Sequence, residues 1–298
     1  MTNLSEKINK IRDLLKDSDC ILIGAGAGLS TSAGINYAGE EFKKEFAPFI
    51  KKYHFTDLYT ASFYEFKTEE EKWAYFAKHI KFADTGRIAT PLYKEIYELI
   101  KNKPYFVITT NVDDQFEKAG FDKNKIFATQ GSYSKLQCAK ACHKKLYDNV
   151  ELVNKMIEQT NSDLKIPSEL IPVCPVCGEK MEVNLRKDMY FVQDDNWYKQ
   201  NKAYENFIDS IRDKKVVLLE LGVGFNTPII IRFPFEQMTL QNKKWNLVRI
   251  NKDNVVNWFD IKDKAILVQD DINNVIGRLL KQEKIVKRDA PFWQLFFL

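Results

Sequence analysis

The stretch ILIGAGAGLSTSAGINYAG, residues 21–39, leaves few architectures open. A short Ile/Leu run ahead of Gly24, Gly26 and Gly28 reads as a buried, parallel-type strand. It breaks into a tight turn and then a helix start. Such a turn lets the backbone approach a ligand and aims free N–H groups at an anion. G-x-G-x-G alone is a weak signal, because a strand-to-helix turn without any ligand has the same form. Ser30 and Ser32 leave two roles open, phosphate contact or helix capping.

The rest of the chain supplies a sheet for this turn to sit on. Leu4, Ile8, Ile11, Leu14 and Leu15 recur at helical spacing, giving a helix that ends near Asp17. The runs PYFVITTN, KIFATQGS, KKVVLLELGVG, KWNLVRIN and AILVQDD add five strands to CILIGAG. PLYKEIYELIKNK and INNVIGRLLKQEK read as helices. Strands alternating with helices predict an open, mostly parallel α/β sheet, which binds ligands beyond its C-terminal strand ends. Polar residues gather at those ends: Gly24–Ser30, Asn111–Asp113, Gln130–Ser132, Gly222–Asn226, Asn251 and Asp270–Asp271. Residues 40–85 read as several aromatic, charged helices without strands.

Residues 132–185 carry four of the five cysteines and three of the prolines, and look like an inserted module. Cys174 and Cys177 in PVCPVCGEKM have the two-residue spacing and following glycine of a metal knuckle. Cys138 and Cys142 are three residues apart, a less usual spacing. Four thiolates suit a closed, structural zinc site; His143 is an alternative ligand, and free thiols are the alternative to a metal. Cys20 reads as a core residue.

Net charge is only +4, without a basic stripe, so nucleic acid is not expected as a partner. NKKWNLVRINK is locally basic and is explained as a solvated loop. No apolar run approaches a membrane span. The N-terminus lacks the apolar segment of a signal peptide, so a cytoplasmic protein is expected.

GAGAGLSTSAGI, TTNVDD, QGS before a cysteine pair, CPVCG, LGVGFNTP and RIN occur in this order. Together they resemble the sirtuins, NAD-dependent protein deacylases and ADP-ribosyltransferases. The resemblance implies an α/β fold: a Rossmann-like, mostly parallel sheet that binds NAD, and a small domain made of a zinc module and a helical insertion. The corresponding division is 1–39, 86–131 and 190–298 for the NAD-binding domain, 40–85 for the insertion and 132–189 for the zinc module. Gly26, Ala27, Gly28 and Ser30 match the pyrophosphate loop, and Gly34, Ile35 and Tyr37 continue it along the cofactor. Asn111 and Asp113 match the family's N-I-D triplet, which holds the nicotinamide ribose and carboxamide. Gly222, Val223, Gly224 and Asn226 stand where the family has its G-T-S segment. Asn251 matches an adenosine-side ribose contact, and Asp271 and Ile272 fall where the last loop meets adenine. The implied metal ligands are Cys138, Cys142, Cys174 and Cys177.

Three departures shape the functional expectation. Gln130 stands where most sirtuins have histidine. Cleaving the nicotinamide–ribose bond needs strain and positioning, whereas deacylation needs a base, worth on the order of 10²–10⁴-fold. Glutamine orients a ribose hydroxyl but cannot deprotonate it. His54, His79 and His143 are expected to have no part in the chemistry. Asn36-Tyr37-Ala38-Gly39 replaces the family's P-D-F-R, so Tyr37 is expected to cover the nicotinamide. Phe191-Val192-Gln193 replaces F-G-E, which puts binding of an acyl-lysine peptide in doubt; Arg186 is expected in a salt bridge. These features look most like the macrodomain-linked bacterial sirtuins. That likeness implies mono-ADP-ribosylation of a lipoylated, glycine-cleavage-H-like carrier, reversed by a macrodomain hydrolase. A lysine deacylase, an NAD glycohydrolase and a non-enzymatic NAD sensor are the rivals. The apolar tail DAPFWQLFFL is expected to pack on its own domain or against a partner.

Overall fold

The computed structural model describes residues 3–289. Beyond Asp289 the apolar tail lies outside the described residues. Helix α1 (Leu4–Asp17) buries Ile8, Ile11 and Leu15, and Asn3 caps it by accepting the Ser5 N–H. Strand β1 (Cys20–Ala25) and the short helix α2 (Ala27–Ser32) frame the glycine turn. Helices α3 (Glu40–Glu45), α4 (Ala47–Tyr53), α5 (Leu58–Ala61) and α6 (Glu69–Ile80) follow, the last running into a π-helical turn at Lys81–Thr85. Then come α7 (Pro91–Ile100), β2 (Tyr105–Thr109), α8 (Gln115–Lys118) and β3 (Ile126–Ala128).

The cysteine-bearing segment holds β4 (Gly131–Cys138), β5 (Tyr147–Asp148), α9 (Val150–Gln159) and β6 (Met181–Leu185). The chain closes with α10 (Asp195–Ser210), β7 (Val216–Leu221), α11 (Arg232–Gln241), β8 (Trp245–Asn251), β9 (Ala265–Gln269) and α12 (Ile272–Asp289).

All six expected strands form one sheet in the order β3-β2-β1-β7-β8-β9, parallel throughout. The order reverses between β1 and β7, so their C-terminal ends open a crevice. Every residue of β1, β2 and β7 is buried. Side chains alternate between faces: Ile21, Ile23 and Ala25 pack with Ile8, Tyr93 and Ile276, while Cys20 and Leu22 pack with Ile211, Phe235 and Trp245. Cys20 is thus a core residue, as expected.

The strands of the cysteine-bearing segment form a three-stranded antiparallel sheet, β5-β4-β6. One hydrophobic cluster joins Phe42, Phe46, Trp73 and Tyr75 of the helical stretch to Leu136, Val153, Met156 and Val183 of the cysteine segment. They lie apart in the chain, and the resemblance places them together in one small domain. They share one core because helices this short cannot cover their aromatic faces alone.

The basic segment around β8 is not a solvated loop. Arg249 is fully buried and grips Glu220 with two parallel bonds, Nε–Oε1 at 2.7 Å and Nη2–Oε2 at 2.8 Å. Its Nη1 donates to Glu236 Oε1 at 2.6 Å, and Glu236 Oε2 accepts the Trp258 and Phe259 N–H groups. Burial raises the Glu220 carboxyl, and the Arg249 hydrogen bonds oppose it. Arg249→Met breaks this buried network, leaving Glu220 with the Arg232 guanidinium at 3.9 Å and Glu236 with backbone N–H groups alone, and is expected to cost about 3–5 kcal/mol. Urea unfolding checks this, and a midpoint equal to wild type would refute the account.

Candidate active site

The glycine turn and the end of β7 meet backbone to backbone. A Cβ on Gly26 would lie 2.8 Å from Gly222 O, and one on Gly28 would lie 2.8 Å from Gly222 Cα. Gly222 itself has φ +63°, and a side chain there would strike Leu29 N. The Gly26 N–H donates to Leu221 O at 3.0 Å and the Gly28 N–H to Gly222 O at 2.9 Å. What comes close to these glycines is therefore the β7 turn, and these two N–H groups are already engaged. The capping alternative for Ser30 and Ser32 is not realised: Gly26 stands at the N-cap of α2 without a side-chain cap bond.

Ser30 instead turns inward. It is buried, and its hydroxyl donates to Asp113 Oδ2 at 2.5 Å. Ser30 Oγ lies 3.1 Å from the Tyr93 hydroxyl, which is 3.1 Å from Asn111 Nδ2. Each hydroxyl carries one proton, so the direction is fixed: Asn111 donates to Tyr93, Tyr93 to Ser30 and Ser30 to Asp113. Tyr93 comes from α7, whose sequence carried no signal of a site residue. Asp113 Oδ1 accepts the Gln115 N–H at 3.2 Å. Burial pushes the Asp113 carboxyl above the usual carboxylate range, and the Ser30 bond opposes this.

A cavity of about 110 Å³ is lined by Ala27, Ser30, Thr31, Ile35, Tyr37, Thr110, Asn111, Val112 and Asp113. It thus unites six of the expected site residues at the ends of β1 and β2. Gly34, with φ +88°, turns the chain between Ser30 and Ile35.

Other expected residues lie around this cavity rather than on it. Gln130 occupies the turn from β3 to β4, where its carbonyl accepts the Arg186 N–H at 3.0 Å. Asn251 donates from Nδ2 to Val223 O at 3.1 Å, tying the β8 end to the β7 turn. Gly224 and Asn226 are exposed on that turn. Asp271 Oδ2 accepts from Ser32 at 3.4 Å, and Ile272 is buried in the sheet core. Among the described residues Arg186 forms no ion pair; its guanidinium lies 5.9 Å from the centre of the Phe191 ring instead.

The four expected ligand cysteines converge, their Sγ atoms all within 4.8 Å of one another. Cys138–Cys177 and Cys142–Cys174 are separated by 3.6 and 3.7 Å. That is too long for a disulfide. It matches the edge of a tetrahedron with about 2.3 Å zinc–sulfur bonds, roughly 3.8 Å. The donor set therefore fits a structural zinc ion. His143 Nδ1 lies 3.0 Å from Cys142 Sγ, while its Nε2 pairs with the Tyr147 hydroxyl at 2.9 Å. Four cysteines complete a tetrahedron, and His143 stands beside it.

A parallel sheet with its crevice at the reversal of strand order, and a second unit clasped by four cysteines, define a nucleotide-binding α/β protein. Residues 26–218 match the Sir2 family, and the chain belongs to that family. It is 33% identical to a protein ADP-ribosyltransferase of Staphylococcus aureus over 97% of this chain and 92% of the relative. It is 32% identical to a probable bifunctional ADP-ribose hydrolase/ADP-ribosyltransferase of Fusarium oxysporum, matching 91% of this chain but 47% of that protein. An NAD-dependent protein deacetylase of Clostridium perfringens is 28% identical over 93% of this chain and its own full length. Among solved structures, a Sir2 protein bound to a propionylated peptide shares the fold with a TM-score of 0.59 at 20% identity. That match covers 94% of this chain and 99% of the solved one. No helix among the described residues is long and apolar enough to cross a membrane.

Proposed function

We propose that the chain is an NAD-dependent protein mono-ADP-ribosyltransferase. The carrying observation is a cavity lined by Asn111, Asp113 and Tyr37 with glutamine, not histidine, at position 130. NAD supplies the ADP-ribosyl group, its glycosidic electron pair leaving with nicotinamide. In this reading Asn111 positions the ribose and the incoming nucleophile, and Asp113 accepts from the carboxamide. Gln130 orients ribose hydroxyls. Gly26, Ala27 and Gly28 shape the pyrophosphate turn, and Gly222–Asn226, Asn251, Asp271 and Ile272 form the adenosine side. The names of the Staphylococcus and Fusarium relatives support the reaction. The Fusarium relative pairs transferase with ADP-ribose hydrolase, which supports a macrodomain-type hydrolase as partner. A lipoylated carrier as acceptor and a cytoplasmic setting, where the thiols stay reduced, complete the proposal.

Labelled NAD, offered with a lipoylated carrier and an acetylated peptide, tests it. Label on the carrier with the acetyl group untouched is the expected result. Free ADP-ribose released at a rate independent of carrier would mean a glycohydrolase. Deacetylated peptide would favour the second reading, a lysine deacylase, which the Clostridium relative's name supports.

Gln130→Ala is expected to slow label transfer only about 3–10-fold, the worth of one neutral hydrogen bond. A loss nearer the 10²–10⁴-fold of a general base would overturn the assignment of orientation alone.

A further inference from the structure

His79, expected to be a bystander, is buried at the centre of a chain of phenols. Its Nε2 lies 3.1 Å from the Tyr133 hydroxyl, and its Nδ1 lies 3.1 Å from the Tyr75 hydroxyl. Tyr75 in turn bonds Leu58 O at 3.1 Å. At the other end, the Tyr133 hydroxyl lies 3.1 Å from that of Tyr37, which lines the cavity beside Asn111 and Asp113. Tyr75, His79 and Tyr133 are all at most 5% exposed. The Phe76 ring stacks on His79 with an interplanar angle of 2°, and Tyr37 meets it edge-on.

The direction of this chain follows from counting protons. A carbonyl oxygen only accepts, so the Tyr75 proton points at Leu58. The Tyr75 oxygen then accepts from His79 Nδ1–H. Burial pushes the His79 imidazole down to about 3, so it is neutral and carries one proton. Its Nε2 is therefore bare and accepts from Tyr133. The Tyr133 oxygen in turn accepts the Tyr37 proton. Tyr37 is left facing the cavity with a lone pair.

We propose that Tyr75, His79 and Tyr133 are positioning residues that make Tyr37 a hydrogen-bond acceptor toward the cavity, selecting a ligand with a primary amide. The inference rests on the NAD reading above and adds a selectivity determinant to it. A primary amide offers two N–H donors, and the cavity offers two acceptors, the Asp113 carboxylate and the Tyr37 phenol oxygen. The opposite direction would set the Tyr75 and Leu58 oxygens against each other without a proton between them, although Leu58 O would keep its Ser62 Oγ–H and N–H donors at 2.7 and 3.1 Å. The side chains come from α6, β4 and the loop after α2, so no local motif encodes the arrangement.

Equilibrium binding to the full chain tests this without turnover. The probes are NAD, the NAD analogue whose carboxamide NH2 is replaced by methyl, and ADP-ribose. Wild type should prefer NAD over the analogue. Tyr37→Phe should reduce that preference by about 3–10-fold, the worth of one hydrogen bond. Tyr133→Phe keeps Tyr37 but removes the acceptor of its proton, which is then free to turn into the cavity. It should reduce the preference similarly while ADP-ribose binding and melting temperature stay near wild type. A Tyr133→Phe protein that binds ADP-ribose normally and keeps the wild-type preference would overturn the proposal. So would a Tyr37→Phe protein that binds NAD and the analogue equally weakened. Wild type binding neither NAD nor ADP-ribose would instead sink the reading of the cavity itself, and this inference with it.

Discussion

Asn111→Ala is expected to cut transfer of label from NAD by about 10²–10³-fold, the usual cost of removing one preorganised polar group at a reacting centre. The residue stands just beyond β2, where its N–H donates to Thr109 Oγ1 at 3.0 Å. Its side-chain amide donates to Tyr93, and this fixes which way the amide oxygen points. Alanine removes that oriented group and leaves Tyr93 without one donor. The Ser30–Asp113 bond does not depend on Asn111, so the carboxylate keeps its partner. The fold should therefore survive, with the effect falling on the rate more than on NAD affinity. Single-turnover release of nicotinamide, measured beside NAD binding, separates the two. Transfer within threefold of wild type, roughly the effect of a lost peripheral hydrogen bond, would remove Asn111 from the mechanism.

The sheet was readable because β1, β2 and β7 are buried on both faces and spell near-continuous apolar runs. The site was readable where a motif carries it: Asn111, Asp113 and the glycines occupy strand ends in a recognisable order. Helix α10 was missed because none of its residues is fully buried and its apolar spacing is diluted by DNWYKQNKAYEN. Arg249 was misread because its carboxylates come from residues 29 and 13 positions away, and charge pairing at that range leaves no local pattern. Tyr93 sits 63 residues from Ser30 and 18 from Asn111. His79 sits 54 residues from Tyr133. For Tyr93 and His79 the helical stretch announced a buried side and said nothing about what polar group it would meet. The glycines show the converse. Their presence was legible, but the partner at close approach is the backbone of Gly222, nearly 200 residues later in the chain.

Removing the metal is expected to be the most damaging change to the small unit. Cys138 ends β4, Cys142 follows on the next turn, and Cys174 and Cys177 flank the turn that leads into β6. One ion would thus fasten the return of a long excursion, residues 143–173, to the strand it left. Within that excursion β5 has only two residues and Leu164 sits at φ +60°, while α9 packs Val153 and Met156 into the shared core. Structural zinc supplies about 10–16 kcal/mol of apparent folding energy in small zinc-dependent units. Here the shared aromatic core offsets part of the loss, because Phe46, Trp73 and Val183 pack without the metal. Cys177→Ser should therefore bind less than a tenth of the wild-type zinc and melt in two steps, the small unit first. Its transfer activity should vanish, since Tyr133 on β4 holds the cavity residue Tyr37 from this unit. His143→Ala should keep its zinc, because four sulfurs already close the tetrahedron. Elemental analysis and calorimetry on the purified full chain decide it. A zinc-free wild-type protein with one cooperative transition would show that the four thiols hold no ion that matters to the fold.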